Sequence, residues 1–300
     1  MNKKGLLSNQ KIHERRFVFL SLLPILTLYI IFQIIPIFAG TWLMFFDYTP
    51  LNASSNFIGL DNFVKLFQNE IFREALLNTT IFVLVAIPLN IIFTLFLAVC
   101  INKVKHRGLK NTFRTFFFLP CIAPLAGSAI VWASIFNPQA GLLNMILNML
   151  GFEGINWLTD PNVALISIII MTLWADIGYN LIIFMAGLDA IPSSFYEAAE
   201  LDGVGKWGAF RYITLPLLSR TSLFVFIMTT IAYFQMFDQF QIMTSGGPMN
   251  STRVLSLEIY DQAFTYANMG YASAMAFVLL IIILVITVIQ LRVGRTNWEY

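Results

Sequence analysis

Long apolar segments alternate with short polar connections along the chain. Six runs reach the length of about 20 residues that an α-helix needs to cross roughly 30 Å of hydrocarbon. They lie at 17–46, 79–101, 113–135, 163–187, 220–243 and 271–291. Because a helix satisfies its own backbone polar groups in lipid, the pattern predicts an all-α polytopic membrane protein with six transmembrane helices.

Composition supports the same class of protein. Of 300 residues, 58% are hydrophobic and only 11% are charged, whereas soluble domains carry about 25% charged residues. The first apolar run is longer than the core of a cleavable signal peptide, so we interpret it as an uncleaved anchor. Cys100 and Cys121 fall within or beside spans without metal-ligand spacing, and we expect them to pack as small apolar residues.

The basic residues predict the orientation. Fifteen of the 18 Lys and Arg residues fall in the two tails and in the second and fourth connections, and the other side has only Lys65, Arg73 and Arg253. Because connections rich in Lys and Arg stay in the cytoplasm, both termini are predicted to be cytoplasmic. The predicted segments outside the spans are a cytoplasmic tail at 1–16, an extracytoplasmic loop at 47–78 with a surface helix near 56–63, a cytoplasmic loop at 188–219 and a cytoplasmic tail at 292–300.

The cytoplasmic loop contains a polar island in this apolar chain. Its centre is Glu197-Ala-Ala-Glu-Leu-Asp-Gly203, and Ile213-Thr-Leu-Pro216 follows. Ser194 and Glu197 have the spacing of a capping box, which predicts a helix start, and Gly203 is a natural helix stop. The two alanines between them are small enough for another protein to approach the backbone closely. The alternative is a surface linker with no partner.

Motifs for nucleotide or metal chemistry do not fit this chain. Gly203-Val-Gly-Lys-Trp-Gly208 matches G-x-G-x-x-G, but that fingerprint follows a strand, and here a helical pattern precedes it. A Walker A loop needs Ser or Thr after Gly-Lys, and Trp207 stands there. Neither histidine belongs to an H-E-x-x-H zinc motif. We therefore expect a non-enzymatic chain that binds no metal and no cofactor itself.

Several blocks of sequence carry a more specific signal. After the polar island come Phe237-Asp238, Thr244–Thr252, Ala263-Phe264 and Gly270-Tyr-Ala-Ser-Ala274. In order and spacing these blocks resemble ABC-type importer permeases of the carbohydrate-uptake branch, with its maltose-permease-like and glycerol-3-phosphate-permease-like subunits. The island with its Ile-x-Leu-Pro sequence is similar to the EAA loop of that family. The resemblance covers about residues 70–291.

The resemblance implies a type I importer fold and a set of partners. The EAA helix would couple the permease to a cytoplasmic ATPase dimer that binds ATP and Mg²⁺. A second, related permease subunit and an extracytoplasmic solute-binding protein would complete the importer in a bacterial or archaeal plasma membrane, with no nucleic acid involved. The residues implied in coupling are Glu197, Ala198, Ala199, Asp202, Gly203, Ile213, Leu215 and Pro216.

Polar residues inside the spans are candidates for the solute pathway, because charge within hydrocarbon is rare and is usually functional. Asp176, Tyr179 and Asn180 have the spacing that places them on one face of the fourth span. Gln235, Asp238 and Gln239 are spaced to share a face of the fifth. Aromatic rings stack on sugars while carboxylates and amides bind hydroxyl groups, although both aspartates could instead bond to neighbouring helices or face water. The predicted pathway residues are Asp176, Tyr179, Asn180, Thr229, Tyr233, Gln235 and Asp238.

These observations predict the transmembrane permease subunit of an ATP-driven, binding-protein-dependent sugar importer, with an oligosaccharide favoured. The first alternative is a permease of the same family for a solute such as glycerol 3-phosphate. The second is an ion-coupled secondary carrier, a class with internal repeats that are not visible here. A membrane-embedded hydrolase would need a nucleophile and base within the spans, and both histidines fall outside them.

Overall fold

The computed structural model describes residues 3–51 and 55–294, with side chains from residue 16 onward. The helices are α1 (Lys3–Tyr29), α2 (Ile35–Leu43), α3 (Asp61–Gln68), α4 (Glu70–Asn102), α5 (Arg107–Ile122), α6 (Leu125–Ile135), α7 (Leu142–Met149), α8 (Ala164–Asp189), α9 (Ser193–Leu201), α10 (Lys206–Ala209), α11 (Leu215–Leu217), α12 (Ser219–Phe234), α13 (Asp238–Met243), α14 (Leu255–Tyr260) and α15 (Met269–Val293). The strands are β1 (Phe46–Asp47) and β2 (Asn56–Phe57), and the π-helical segments are Ile30–Ile34, Phe210–Thr214 and Asp261–Thr265.

The helices confirm an all-α membrane protein. Four of them are long and apolar enough to cross a membrane, and two bent helix pairs bring the number to six when each pair counts as one span. The four are Arg16–Leu43, Glu70–Asn102, Ala164–Asp189 and Met269–Val293. The bent pairs are Arg107–Ile122 with Leu125–Ile135, and Lys206–Leu217 with Ser219–Phe234.

The third span, expected at 113–135, is sharply bent. Its two halves, α5 and α6, meet at an angle of 95°. Pro124 stands at the N-cap of α6, and Ala123 before it is extended, with φ −69° and ψ 139°. A proline disfavours helical geometry in the residue that precedes it. The bend therefore has a local cause in the sequence.

The fifth span, expected at 220–243, ends nine residues earlier than expected. Helix α12 ends at Phe234, and the separate helix α13 begins at Asp238. The turn between them allows the fully buried Phe240 to pack edge-on against Phe82, with ring centroids 5.0 Å apart.

The first and last helices also have boundaries that differ from those expected. The segment expected as a tail at 1–16 is helical from Lys3, and the first span closes at Leu43 rather than at residue 46. At the other end, α15 continues to Val293. Residues 295–300 of the tail expected at 292–300 lie outside the described residues.

One compact unit comprises the described residues up to Leu66 together with 262–277. Strands β1 and β2 pair antiparallel, with Phe46 opposite Phe57. The Nδ2 of Asn62 donates to the carbonyl oxygens of Met44 at 2.9 Å and Phe46 at 3.1 Å. The surface helix expected near 56–63 is therefore only partly correct, because the strand occupies its first residues and α3 begins at Asp61.

Gly270 lies close to this hairpin within the same unit. Its backbone N–H donates to the carbonyl of Tyr48 at 3.2 Å, and a Cβ at this position would lie 2.0 Å from the carbonyl oxygen of Phe46. No real Cβ atom tolerates that distance, so any side chain here requires the backbone to move.

We expect Gly270→Ala to lower the free energy of unfolding by about 2 kcal/mol, the range for overpacked interiors. Thermal unfolding of the purified protein in detergent measures it. Gly40→Ala is the matched control, because nothing lies within 4 Å of a Cβ at that helical glycine. Equal melting temperatures for the two variants would contradict the close approach at Gly270.

The second compact unit comprises residues 67–261 and the described residues from Val278 onward. Helix α8 is central and packs against α4, α5 and α12. Gly178 permits the contact with α5, because a Cβ there would lie 2.2 Å from the carbonyl oxygen of Phe117. At the end of α8 that leads into the 188–219 loop, a hydrophobic core joins Ala98, Ile101, Leu181, Phe184, Met185, Leu188, Ile191, Leu218 and Val225.

Candidate functional site

The polar island forms the short helix α9. Pro192 stands at its N-cap with φ −59° and ψ 135°, and no side chain caps the helix start. The expected capping box of Ser194 and Glu197 is therefore wrong, because Ser193 already begins the helix after the extended proline. The expected stop is confirmed, since Gly203 has φ +75°, a left-handed conformation that glycine adopts readily.

One face of α9 is not covered by the rest of the chain. Glu197, Ala198, Asp202 and Gly203 are exposed, whereas Ala199 is only 7% exposed because it packs inward. The expectation that both alanines admit a partner is therefore wrong for Ala199. Large apolar side chains on α9 and in the eleven residues after it are exposed. These are Phe195, Leu201, Val204, Trp207 and Tyr212, and exposed apolar clusters of this kind mark interaction surfaces.

The other predicted coupling residues connect α9 to α12. Ile213 belongs to the π-helical segment Phe210–Thr214, while Leu215 and Pro216 form the following turn α11, and all three are half-buried. The hydroxyls of Tyr196 on α9 and Thr214 lie 3.0 Å apart. This bond ties the exposed helix to the segment that leads into α12.

An ionic junction, formed by Asp189 with Lys110 and Arg114, lies just before α9 in the chain. The Asp189 carboxylate, at the end of α8, accepts bonds from Lys110 Nζ and Arg114 Nη2 on α5, each at 3.0 Å. Lys110 Nζ also donates to Asn102 Oδ1 on α4 at 2.6 Å. The sequence interpretation treated these two basic residues only as topology signals. The junction joins three helices four residues before α9 begins.

A cavity of about 280 Å³ lies between α8 and α12. It is lined by Asp176, Tyr179, Asn180, Met228, Thr229, Ala232 and Tyr233. Five of the seven predicted pathway residues therefore meet at one place. Tyr179 is 53% exposed, so its ring face is open, whereas Asn180, Thr229 and Tyr233 are buried.

The remaining two predicted pathway residues lie outside this cavity. Gln235 is the exposed C-cap of α12, and Asp238 is the exposed first residue of α13. The expected shared face of the fifth span does not exist, because spacing places residues on one face only while a helix continues. The neighbouring Gln239 is buried instead, and its Nε2 lies 3.3 Å from the hydroxyl of Thr172.

A buried hydrogen-bond network holds the cavity walls together. Asn90 on α4 donates from Nδ2 to the hydroxyl of Tyr233 at 2.9 Å and accepts at Oδ1 from Asn180 Nδ2 at 2.7 Å. The same Asn180 amide donates to the Thr229 hydroxyl at 3.0 Å. Tyr233 and Asp176 line the same cavity. Sequence spacing missed Asn90, although a buried amide in a span is itself a signal.

These groups suit a polyhydroxyl solute. A carboxylate and a hydroxyl accept hydrogen bonds from hydroxyl groups, an amide both donates and accepts, and the open ring of Tyr179 offers a face for stacking. A larger cavity of about 690 Å³ lies at the bend between α5 and α6, and its lining side chains are aliphatic or aromatic. The indole N–H groups of Trp132 and Trp174 are the polar groups of those side chains, so it offers a polyhydroxyl solute fewer partners than the cavity between α8 and α12.

The connection after α13 is fixed by Arg253. Its Nη1 donates to Glu258 Oε2 at 2.8 Å and to Asp261 Oδ2 at 2.7 Å, and its Nε donates to Asn250 Oδ1 at 3.2 Å. Burial lowers the pKa of Arg253, but the two carboxylates outweigh it and the pKa lies above its ordinary value. Asn78 Nδ2 donates to the carbonyls of Asn250 and Arg253 at 2.7 and 3.1 Å. The block at Thr244–Thr252 is thus held rigidly in place.

Comparison with known proteins adds to this geometry. A "Probable ABC transporter permease protein YurN" of Bacillus subtilis is 36% identical over 283 residues, which cover 94% of this chain and 97% of the relative. The "Lactose transport system permease protein LacF" of Rhizobium radiobacter is 38% identical over 279 residues, 91% of this chain and 92% of the relative.

A solved structure shows the same fold. The crystal structure of a bacterial alginate ABC transporter in complex with an alginate-bound periplasmic protein contains a chain with a TM-score of 0.86 and 24% identity, covering 95% of this chain and 96% of that one. The predicted importer-permease fold is therefore confirmed. Residues 63–297 match the model of a family described as the inner membrane component of binding-protein-dependent transport systems. This chain therefore belongs to the family of binding-protein-dependent transport system inner membrane components.

Proposed function

We propose that this chain is the permease subunit of an ATP-driven importer that receives a sugar from an extracytoplasmic binding protein. One observation carries the proposal: along the chain, the exposed helix α9 stands between α8 and α12, the two helices that line the polar cavity. Helix α8 contributes Asp176, Tyr179 and Asn180 to the cavity and leads directly into α9. On the other side, the chain continues from α9 through α11 into α12, which contributes Thr229 and Tyr233.

This arrangement provides a mechanical connection between a partner bound at α9 and the cavity. Asn180 and Asp189 are nine residues apart on α8, or about 14 Å along a helix. A subunit that binds α9 and moves it would therefore shift both cavity-lining helices. The partner is a cytoplasmic ATPase dimer that carries ATP and Mg²⁺, and a second, related permease subunit completes the membrane part. Both termini of this chain then lie in the cytoplasm of a cell with the importer in its plasma membrane.

The cavity supports a sugar as the solute. Its hydroxyl, amide and carboxylate groups match the hydroxyl groups of a carbohydrate, and the exposed ring of Tyr179 matches a sugar face. The relative from Rhizobium radiobacter is named as a lactose transport permease, which agrees with this class of solute.

Reconstitution of the complete assembly tests the proposal. The tagged chain is purified from its native membrane with its bound subunits and placed in proteoliposomes with its binding protein outside and ATP inside. We expect uptake that needs both ATP and the binding protein. Uptake by the chain alone, driven by an ion gradient, would instead indicate a secondary carrier.

A further inference from the structure

The cavity between α8 and α12 contains one negative charge and no positive one. Asp176 is its only Asp or Glu, and none of its seven lining residues is Lys or Arg. The surrounding sequence also lacks a cation, because no Lys or Arg occurs in 74–102, 115–205, 221–252 or 254–291. These stretches include all of α8 and every lining residue of α12. The lining that this chain supplies to the cavity therefore offers an anion no cationic partner.

The cavity walls around Asp176 are fixed by buried hydrogen bonds. The Tyr233 hydroxyl, which lines the same cavity, accepts from Asn90 Nδ2 at 2.9 Å. Asn90 is fully buried and accepts a second bond from Asn180, another lining residue. Asp176 thus supplies the one carboxylate of the cavity, beside uncharged amide and hydroxyl groups.

We infer that this cavity selects uncharged polyhydroxyl solutes and rejects anions such as phosphate esters and uronates, with Asp176 as the residue that determines the selection. This inference rests on the proposed function and deepens it. Two like charges close together repel strongly where little water screens them. Among the alternatives raised by the sequence, a neutral sugar is favoured over glycerol 3-phosphate. The structural neighbour handles alginate, an acidic polysaccharide, and this chain differs from it in expected cargo.

Cysteine labelling tests the charge of the cavity without knowing the solute. In the complete transporter, with Cys100 and Cys121 replaced by serine, a single cysteine is placed at Ala232 or at Met228, two lining positions. Each variant reacts with hydroxyethyl, aminoethyl and sulfonatoethyl methanethiosulfonate, which are neutral, cationic and anionic. Rates are divided by the rate of each reagent with a free thiol.

We expect the anionic reagent to react about tenfold more slowly than the neutral one at both positions, from one fixed charge nearby. Asp176→Asn should remove this difference. Asp238→Asn is the matched control, because Asp238 is an exposed carboxylate outside the cavity, and it should leave the difference unchanged.

An anionic reagent that reacts as fast as the neutral one, or faster, would overturn the charge selection. This result would also reveal a cation supplied by the second permease subunit. If neither cysteine reacts with any reagent, the cavity is closed to solutes, and the proposed solute pathway fails rather than its charge preference. The two failures are therefore distinguishable.

Discussion

Glu197→Lys should abolish ATP-driven uptake while the permease remains folded. Glu197 is exposed on α9, and an exposed substitution changes the free energy of unfolding by no more than about 0.5 kcal/mol. A charge reversal within an interface weakens association and coupling by several kcal/mol, so we expect uptake to fall at least about 100-fold. Loss of uptake with unchanged stability would show that Glu197 acts on a partner subunit and not in the folding of this chain.

Uptake by proteoliposomes and thermal unfolding measure the two effects. Glu153→Lys is the matched control, since it reverses an exposed acid in the connection between α7 and α8 and should leave uptake close to the parent value. If Glu197→Lys supports uptake at the rate of Glu153→Lys, α9 is not the surface on which the ATPase acts.

Asn90→Leu should lower both stability and transport. Asn90 is fully buried and bonds the Tyr233 hydroxyl and the Asn180 amide. A leucine of similar size leaves both groups without this partner, and each unsatisfied buried group costs about 1–3 kcal/mol. We expect the free energy of unfolding to fall by about 2–4 kcal/mol. Because Tyr233 and Asn180 line the cavity, we also expect the affinity for solute to decrease.

A double-mutant cycle isolates the bond between Asn90 and Tyr233. In a Tyr233→Phe background, Asn90→Leu should destabilise the protein by at least about 0.5 kcal/mol less than in the parent, because one of its bonds is already absent. Asn148→Leu, at an exposed position of α7, controls for the added apolar side chain. Additive effects of the two cavity substitutions would contradict the network.

The junction at Asp189 has a different character from this buried network. Its carboxylate is 43% exposed, and ion pairs of this kind contribute about 0–1 kcal/mol. Such a contact can break and form again at small free-energy change. It stands where α8 leads into α9, so under the proposed function it suits a joint that changes when the ATPase moves α9.

Helical periodicity explains what the sequence predicted well. The spacing of Asp176, Tyr179 and Asn180 placed them on one face of a continuous helix, and the structure brings them to one cavity. The same reasoning failed for Gln235 and Asp238, because the helix ends at Phe234. Helical spacing predicts a shared face only as far as the helix continues.

The residues that the sequence missed are those with distant partners. Asn90 bonds Asn180 and Tyr233, which follow it by 90 and 143 residues. No spacing along one helix can indicate such contacts, because packing between helices creates them. The burial of Ala199 beside the exposed Ala198 has the same origin, since packing decides which of two adjacent alanines faces inward.

Crosslinking from α9 tests the central claim most directly. A single cysteine replaces Ala198, an exposed position, in the transporter whose Cys100 and Cys121 are serine, and a bismaleimide joins it to neighbouring subunits in the intact assembly. The adjacent Ala199→Cys, at a buried position, is the control and should react weakly. We expect the Ala198→Cys product to contain the nucleotide-hydrolysing subunit. An assembly that imports solute with ATP but never yields that product would contradict α9 as the helix through which the ATPase drives transport.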